Sequence, residues 1–333
     1  MPKISVIITL TAPENIASVT FESLTQQTFN DFECLFVQQN KSEPYTSLLS
    51  LPQKDNRFKL IKSQNENPSK WDCYNDALYQ VKGEYILFLN DTDILHNQAL
   101  DIFSDALRYT HSQIAAAHTS YFSARKEHKK KSQKIMFDKS VLKKKNQNIL
   151  ADFLQGNALQ INGAIEGKMF LAETVSYLKF HSKLNEFAPY FFMEQFYSLT
   201  QSSVYVKYPL YFLRKEAHIP SLSSYETLTH LKERIVFEYA YFIESGRVNG
   251  YNAIVLKRKA SQDLFNAVKH VVLHTPESNL ICINQQLINL LNELKENYDM
   301  LQGLSLSLMQ KVVLLTLSKN NLALTKKLLK IFY

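Results

Sequence analysis

The chain has 333 residues, of which 45% are apolar, enough to build the core of one large domain or two smaller ones. Its net charge of +7 is local: residues 125–147 hold ten Lys or Arg against two acids, so the remainder is close to neutral. Phe137 is the sole aromatic in that run, so there is no base-stacking platform and no nucleic-acid partner is expected. Cys34, Cys73 and Cys282 lie far apart, with neither metal nor disulfide spacing, as in a reducing compartment. No leader is expected, because the chain runs straight from Met1-Pro2-Lys3 into a strand. No uncharged run reaches the roughly 20 residues of a membrane span. The nearest, residues 301–317, is broken by Gln310 and Lys311. A cytoplasmic protein is expected, with peripheral contact at the inner membrane face as an option.

Ile4 to Ile8 is an opening buried strand, followed by a polar loop over 9–13 and a helix over 14–26 with Ile16, Val19 and Leu24 on its apolar side. A turn at 27–31 leads to a second strand, 32–37, which ends at Gln38-Gln39-Asn40. A weak helix over 44–51 and a short strand over 58–61 come next. The chain is organised around residues 63–95. There Trp71, Tyr74, Leu78 and Val81 share one face of a helix over 71–81. Ser69 is its cap ahead of Asp72, and Gly83 ends it by adopting the left-handed conformation. Tyr85 to Leu89 is continuously apolar, as in a central strand covered on both faces. It stops at Asn90-Asp91-Thr92-Asp93, at the strand end where open α/β sheets bind ligands. Two carboxylates one residue apart suit a divalent cation bridging to phosphate oxygens, and they equally suit a helix cap.

A helix over 97–110 and a strand over 115–122 complete an alternation that implies a mainly parallel sheet. The basic stretch 125–148, with Lys129 to Lys131 and Lys143 to Lys145, fits an anionic lipid or glycan, or simply a solvated loop. A helix over 186–200 carries Glu194 among so many aromatics that it is either covered all round or lines an acceptor groove. A strand over 208–213 precedes Arg214 and His218. Helical spacing then recurs over 228–245, 260–273, 284–297, 306–318 and 322–332. The expected domains are 1–224, α/β, and 225–333, helical and packed on the first or used for self-association. The basic amphipathic end, 326–333, suits an anionic membrane surface or ordinary packing.

The order of these elements and several short motifs resemble family 2 glycosyltransferases of the GT-A fold. The matching residues are Ile4 to Ile8, Ser23-Leu24 with Gln27-Thr28-Phe29 and Asp31-Phe32-Glu33, and Trp71-Asp72 with Asn75 and Leu78. The best motif is Gly83-Glu84-Tyr85 with Phe88-Leu89-Asn90 and Asp93. Fainter ones are Gly167 to Phe170, Glu194, and Pro209-Leu210-Tyr211 with Arg214. The resemblance implies a Rossmann-like mixed sheet flanked by helices and transfer of a sugar from a nucleotide-sugar donor to a glycan or glycoprotein acceptor. It implies donor contacts at Thr9, Gln38, Gln39, Asp72, Asn90, Asp91 and Arg214. It implies a divalent metal, Mn2+ or Mg2+, on Asp91, Asp93 and His218, and a general base at Glu194.

The chain also departs from that pattern. Gln38-Gln39 replaces a pair of acids, Thr11-Ala12 replaces a Tyr-Asn stacking surface, and Glu194-Gln195 keeps one late carboxylate of two. Asn40 and Ala77 stand where the family has glycines. The leading reading is therefore an inverting glycosyltransferase of surface polysaccharide or glycoconjugate synthesis. The alternative is a GT-A-fold partner of an active transferase, itself without activity.

Overall fold

A computed structural model of the chain describes residues 2–39, 45–122, 134–136, 138–146, 148–155, 163–215, 233–248, 250–274, 288–289, 308–319 and 321–332. The chain divides into two compact units, Met1–Ile219 and Pro220–Tyr333.

The first unit is built on a mixed sheet. Its strands are β1 (Ile4–Leu10), β2 (Phe32–Gln38), β3 (Phe58–Ile61), β4 (Tyr85–Asn90), β5 (Ile94–Leu95), β6 (Ile114–Phe122), β7 (Leu142–Asn146), β8 (Lys168–Leu171) and β9 (Ser202–Arg214). The order is β3-β2-β1-β4-β8-β6-β9-β5, with β7 also paired to β9. The first four strands are parallel, as the βα alternation implies. β8 is antiparallel to both β4 and β6, and β9 runs parallel to β6. Strand β4 is buried along its whole length, which is why it reads as an unbroken apolar run. Register places Gln38 opposite Leu10 and Asn90 opposite Thr9, so β1, β2 and β4 end at one edge.

Helices α1 (Glu14–Thr25), α2 (Thr46–Leu49), α3 (Leu51–Lys54), α4 (Lys70–Leu78), α5 (Ala99–Thr110), α6 (Ile149–Leu154), α7 (Ala172–Val175) and α8 (Ala188–Leu199) accompany the sheet. A ring cluster binds α4 to the sheet and to α8. Trp71 stacks on Phe180, Phe180 stacks on Phe192 at 4.2 Å, and Phe88 meets Tyr74, Phe170 and Phe192 edge-on. Residues 191–197, including Phe191, Phe192, Met193, Phe196 and Tyr197, are all buried, so this part of α8 is covered all round.

Several boundaries differ from expectation for physical reasons. Helix α4 ends at Leu78, and Gly83 is absent from the left-handed positions. Gly83 is needed for close approach instead: a Cβ there would lie 2.5 Å from the Ser5 amide nitrogen. Thr9 lies inside β1 rather than in a loop. Lys143, Lys144 and Lys145 sit on β7, paired antiparallel to β9, not in a solvated loop. A 3₁₀ segment, Ser182–Phe187, precedes α8, with Asn185 at φ 46°.

At the amino-terminal edge of the sheet, Glu33 is buried on β2. Its carboxylate accepts from Ser5 Oγ at 2.7 Å, Lys59 Nζ at 2.6 Å and the Lys82 amide at 2.9 Å. Burial alone would raise its pKa. The hydrogen bonds from Lys59, Ser5 and Lys82, with the charge of Lys59, outweigh burial and hold it below its ordinary 4.5.

In the second unit, a π-helical turn (Tyr239–Glu244) precedes α9 (Gly250–His274), α10 (Leu308–Ser318) and α11 (Leu322–Phe332). Buried Arg234 bridges Glu238 and Asp263, and Asp263 also meets Lys259. Val313, Leu317 and Leu329 are buried where α10 and α11 pack together. The helix expected over 260–273 begins ten residues earlier. The one expected over 284–297 falls almost wholly outside the described residues. No helix among the described residues is long and apolar enough to cross a membrane.

A depressed carboxyl pKa contributes stability above its ordinary value and loses it as pH falls through the folded value. Glu33→Gln should therefore destabilise the protein in urea at neutral pH, with the deficit shrinking as pH falls below 4.5. An equal deficit at about pH 3 and pH 7 would contradict this role.

Candidate active site at the carboxyl edge of the sheet

The carboxyl end of β4 turns sharply at Asn90-Asp91-Thr92-Asp93, and the turn is held by its own acids. Asp91 is buried. Its Oδ2 accepts from the amides of Thr11 and Ala12, the latter at 2.7 Å, and its Oδ1 accepts from Thr11 Oγ1 at 3.1 Å. Asp93 is fully buried. Its Oδ1 accepts from the Arg214 amide at 3.0 Å and Thr92 Oγ1 at 3.3 Å. Its Oδ2 accepts from Tyr211 Oη and Asn90 Nδ2, each at 3.0 Å. Thr20 Oγ1 donates to the backbone carbonyls of both acids, at 2.9 and 2.7 Å. Arg214 Nε donates to the Thr92 carbonyl at 3.1 Å, and its guanidinium lies over the Phe122 ring.

A carboxylate offers about four lone-pair positions. Asp93 has four donors on them, and Asp91 has three or four. As arranged, these acids do not fit a shared divalent cation. Among the described residues no three His, Cys, Asp or Glu side chains gather as a metal would need. His218 lies outside the described residues. The expected metal ligands are thus structural acids here, and no chemistry is routed through a metal.

Asn90 remains at the edge with both ends of its amide in use. Its Oδ1 accepts from Lys70 Nζ at 2.7 Å, and its Nδ2 reaches Glu166 Oε1 at 3.1 Å. Tyr211 lies behind it, its phenol pushed well above the ordinary range by burial and by the charges of Asp93 and Glu166. Tyr74 is raised by burial and by the charges of Glu166, Asp91 and Asp93. Burial pulls Lys168 down to about 8, against the charge of Glu166. Both tyrosines, Tyr74 and Tyr211, therefore stay protonated at neutral pH.

The expected donor residues separate into two groups. Gln38, Gln39 and Asn90 lie at the same sheet edge, with β1 between the glutamines and Asn90, and the Gln39 amide donates to the Leu10 carbonyl at 3.2 Å. Thr9 is buried within β1 beside Tyr74. Asp72 closes a capping box, its Oδ2 accepting from the Ser69 amide at 3.0 Å and Ser69 Oγ at 2.7 Å. Glu194 is fully buried on α8. With about 100° per residue, it lies about 160° round from Phe192, which faces the sheet. It shares the side of Tyr190 and Tyr197, which pack on Phe153.

Sequence reasoning missed Lys70 and Glu166. Glu166 had a weak signal, an acid directly before a glycine that here takes φ +69°. Lys70 had a better one: a cation in the first turn of a helix is opposed by the helix dipole and needs another reason to be there.

The order of strands, with antiparallel β8 inserted between β4 and β6, makes this a GT-A-type fold. The family model described as glycosyl transferase family 2 matches residues 5–166. A beta-1,3-glucosyltransferase of Campylobacter jejuni, acting on GalNAc(5)-diNAcBac-PP-undecaprenol by its name, is 33% identical over 101 residues, 30% of this chain and 33% of that protein. An uncharacterized glycosyltransferase of Rickettsia felis is 29% identical over 120 residues, 36% of this chain and 19% of that protein. The chain spans a third or less of the length of these curated relatives. Residues 1–349 of S. aureus TarS superpose with TM-score 0.68 at 14% identity, over 98% of this chain and 90% of that one. The same protein is solved with UDP and with UDP-GlcNAc.

Removing either acid strands buried donors, so Asp91→Ala and Asp93→Ala should each cost about 3 kcal/mol of unfolding free energy, with or without Mn2+. Lost Mn2+ binding at unchanged stability would restore them as metal ligands.

Proposed function

We propose that the chain is a glycosyltransferase that moves a sugar from a nucleoside-diphosphate donor to a hydroxyl of a glycan or glycoprotein, with inversion. The observation that carries this reading is the polar rim of Gln38, Asn90, Lys70 and Glu166 at the carboxyl edge of a family 2 sheet. Gln38 and Gln39 offer amides to the base or ribose. Asp72 sits beside the rim, its carboxylate engaged in the cap of α4. In the transfer, the acceptor oxygen forms a bond to the anomeric carbon. The bond from that carbon to the diphosphate oxygen breaks, its electron pair leaving with the diphosphate. The acceptor proton passes to a carboxylate base; Glu166 lies at the rim, whereas Glu194, the base the resemblance implies, is buried on the side of α8 turned away from the sheet. TarS with UDP and UDP-GlcNAc makes uridine nucleotides the first probes.

An inactive partner is not favoured, since the rim keeps polar and charged groups and the curated relatives are named as transferases. Peripheral membrane contact or self-association falls most naturally on α11, where Leu324 and Ile331 are exposed on a helix that also carries Lys326, Lys327 and Lys330.

Glu166→Gln should lower turnover by about 100-fold or more while leaving UDP affinity within about twofold. If Glu166→Gln keeps its turnover and Glu194→Gln loses it, the base is Glu194. Absence of transfer or hydrolysis with every sugar nucleotide would contradict the proposal.

A further inference from the structure

Lys70 is the first residue of α4, directly after the cap Ser69. A positive charge there opposes the helix dipole. Yet the side chain is held in place from two sides. Its ammonium donates to Asn90 Oδ1 at 2.7 Å and lies 5.4 and 5.6 Å from the ring centroids of Trp71 and Tyr74. An ammonium has three donors, and the one acceptor given to it is a neutral amide. Among the described residues Lys70 makes no ion pair. The acids nearby are otherwise engaged. Asp72 closes the capping box, Asp91 holds Thr11 and Ala12, and Asp93 holds Asn90, Tyr211 and Arg214. Asn90 stands between Lys70 and Glu166, turning its oxygen to the one and its nitrogen to the other.

A half-buried ammonium without an ion pair is costly unless an anion arrives to meet it. It lies at the end of β4, beside β1, on the edge where parallel sheets receive ligands. The two carboxylates expected to place a cation there are turned inward and saturated. We infer that Lys70 binds the donor diphosphate, supplying the positive charge that a divalent cation on Asp91 and Asp93 would otherwise bring. The inference rests on the nucleotide-sugar reading above and names the residue that serves it. Lysine is a compact point charge suited to phosphate. Asn90 and the two rings fix the ammonium before the donor arrives, so it neither reorganises on binding nor needs a metal. As the anomeric bond breaks and the electron pair passes to the diphosphate, the added negative charge falls on oxygens facing Lys70. That stabilises the leaving group where the charge develops.

The test is a calorimetric titration of the full chain with UDP, GDP, CDP, ADP and dTDP, in EDTA and in Mn2+. The expected result is one preferred nucleotide that binds with the same affinity, within about twofold, in both buffers. Lys70→Ala should weaken it about tenfold or more in both, and Lys70→Arg should stay within about threefold of the wild type. Thermal unfolding within a few degrees of the wild type shows that Lys70→Ala is folded, and the arginine variant carries the test if it is not. Affinity that needs Mn2+ and ignores Lys70→Ala overturns the inference and leaves the nucleotide-sugar reading standing. Failure of every nucleotide to bind the wild type in either buffer overturns both.

Discussion

The end of β4 depends on two buried carboxylates that stitch four pieces of chain together. Asp91 gathers the loop after β1, Asp93 gathers the end of β9, and the carbonyls of both are tied to Thr20 of α1. Charge-assisted hydrogen bonds of this kind are stronger in a buried setting than neutral ones, and leaving their donors unpaired is costly. The edge of the sheet is therefore fixed by acids that a one-dimensional reading assigns to chemistry. Once they are placed inward, Asn90 is the residue that faces the rim, and the groups it touches, Lys70 and Glu166, become the charged features of the site.

The sheet carries a polar cluster at each end of its central strands. Glu33 at the amino edge has a lysine partner and sits under closely packed backbone, with Gly83 donating to Ser5 Oγ at 2.9 Å. That end is sealed. At the carboxyl edge the acids are satisfied by the fold, but among the described residues the ammonium of Lys70 has no ion-pair partner. On the diphosphate proposal, this asymmetry favours an anionic ligand at the carboxyl end of the sheet. The ring cluster of Trp71, Tyr74, Phe88, Phe180 and Phe192 supports the same edge, because α4 carries Lys70 and is anchored through those rings. A shift of α4 would move the ammonium with it.

Much of the fold was legible because burial writes itself into composition. The unbroken apolar runs of β1, β2 and β4, the face of α4 and the Ser69–Asp72 cap all follow from local periodicity and capping chemistry. Strand β9 was read too short because its first half alternates polar and apolar residues beside β7, so no continuous run marks it. Gly83 serves a close backbone approach rather than a left-handed turn, and the two leave the same letter in the sequence. The site was harder. An aspartate that satisfies a neighbouring loop and one that holds a cation look alike in sequence, because the loop that decides between them is 80 residues away. Glu166 meets Asn90 across 76 residues. No spacing rule reaches that far.

The claim that a nucleoside diphosphate binds at the carboxyl edge of β1, β2 and β4 is tested most directly by hydrogen–deuterium exchange with and without UDP. The account predicts slowed exchange in peptides covering residues 9–12, 38–39, 69–74 and 90–93, with 142–146 and 308–332 unchanged. Slowed exchange confined to β7 or to the helices of the second unit would contradict it.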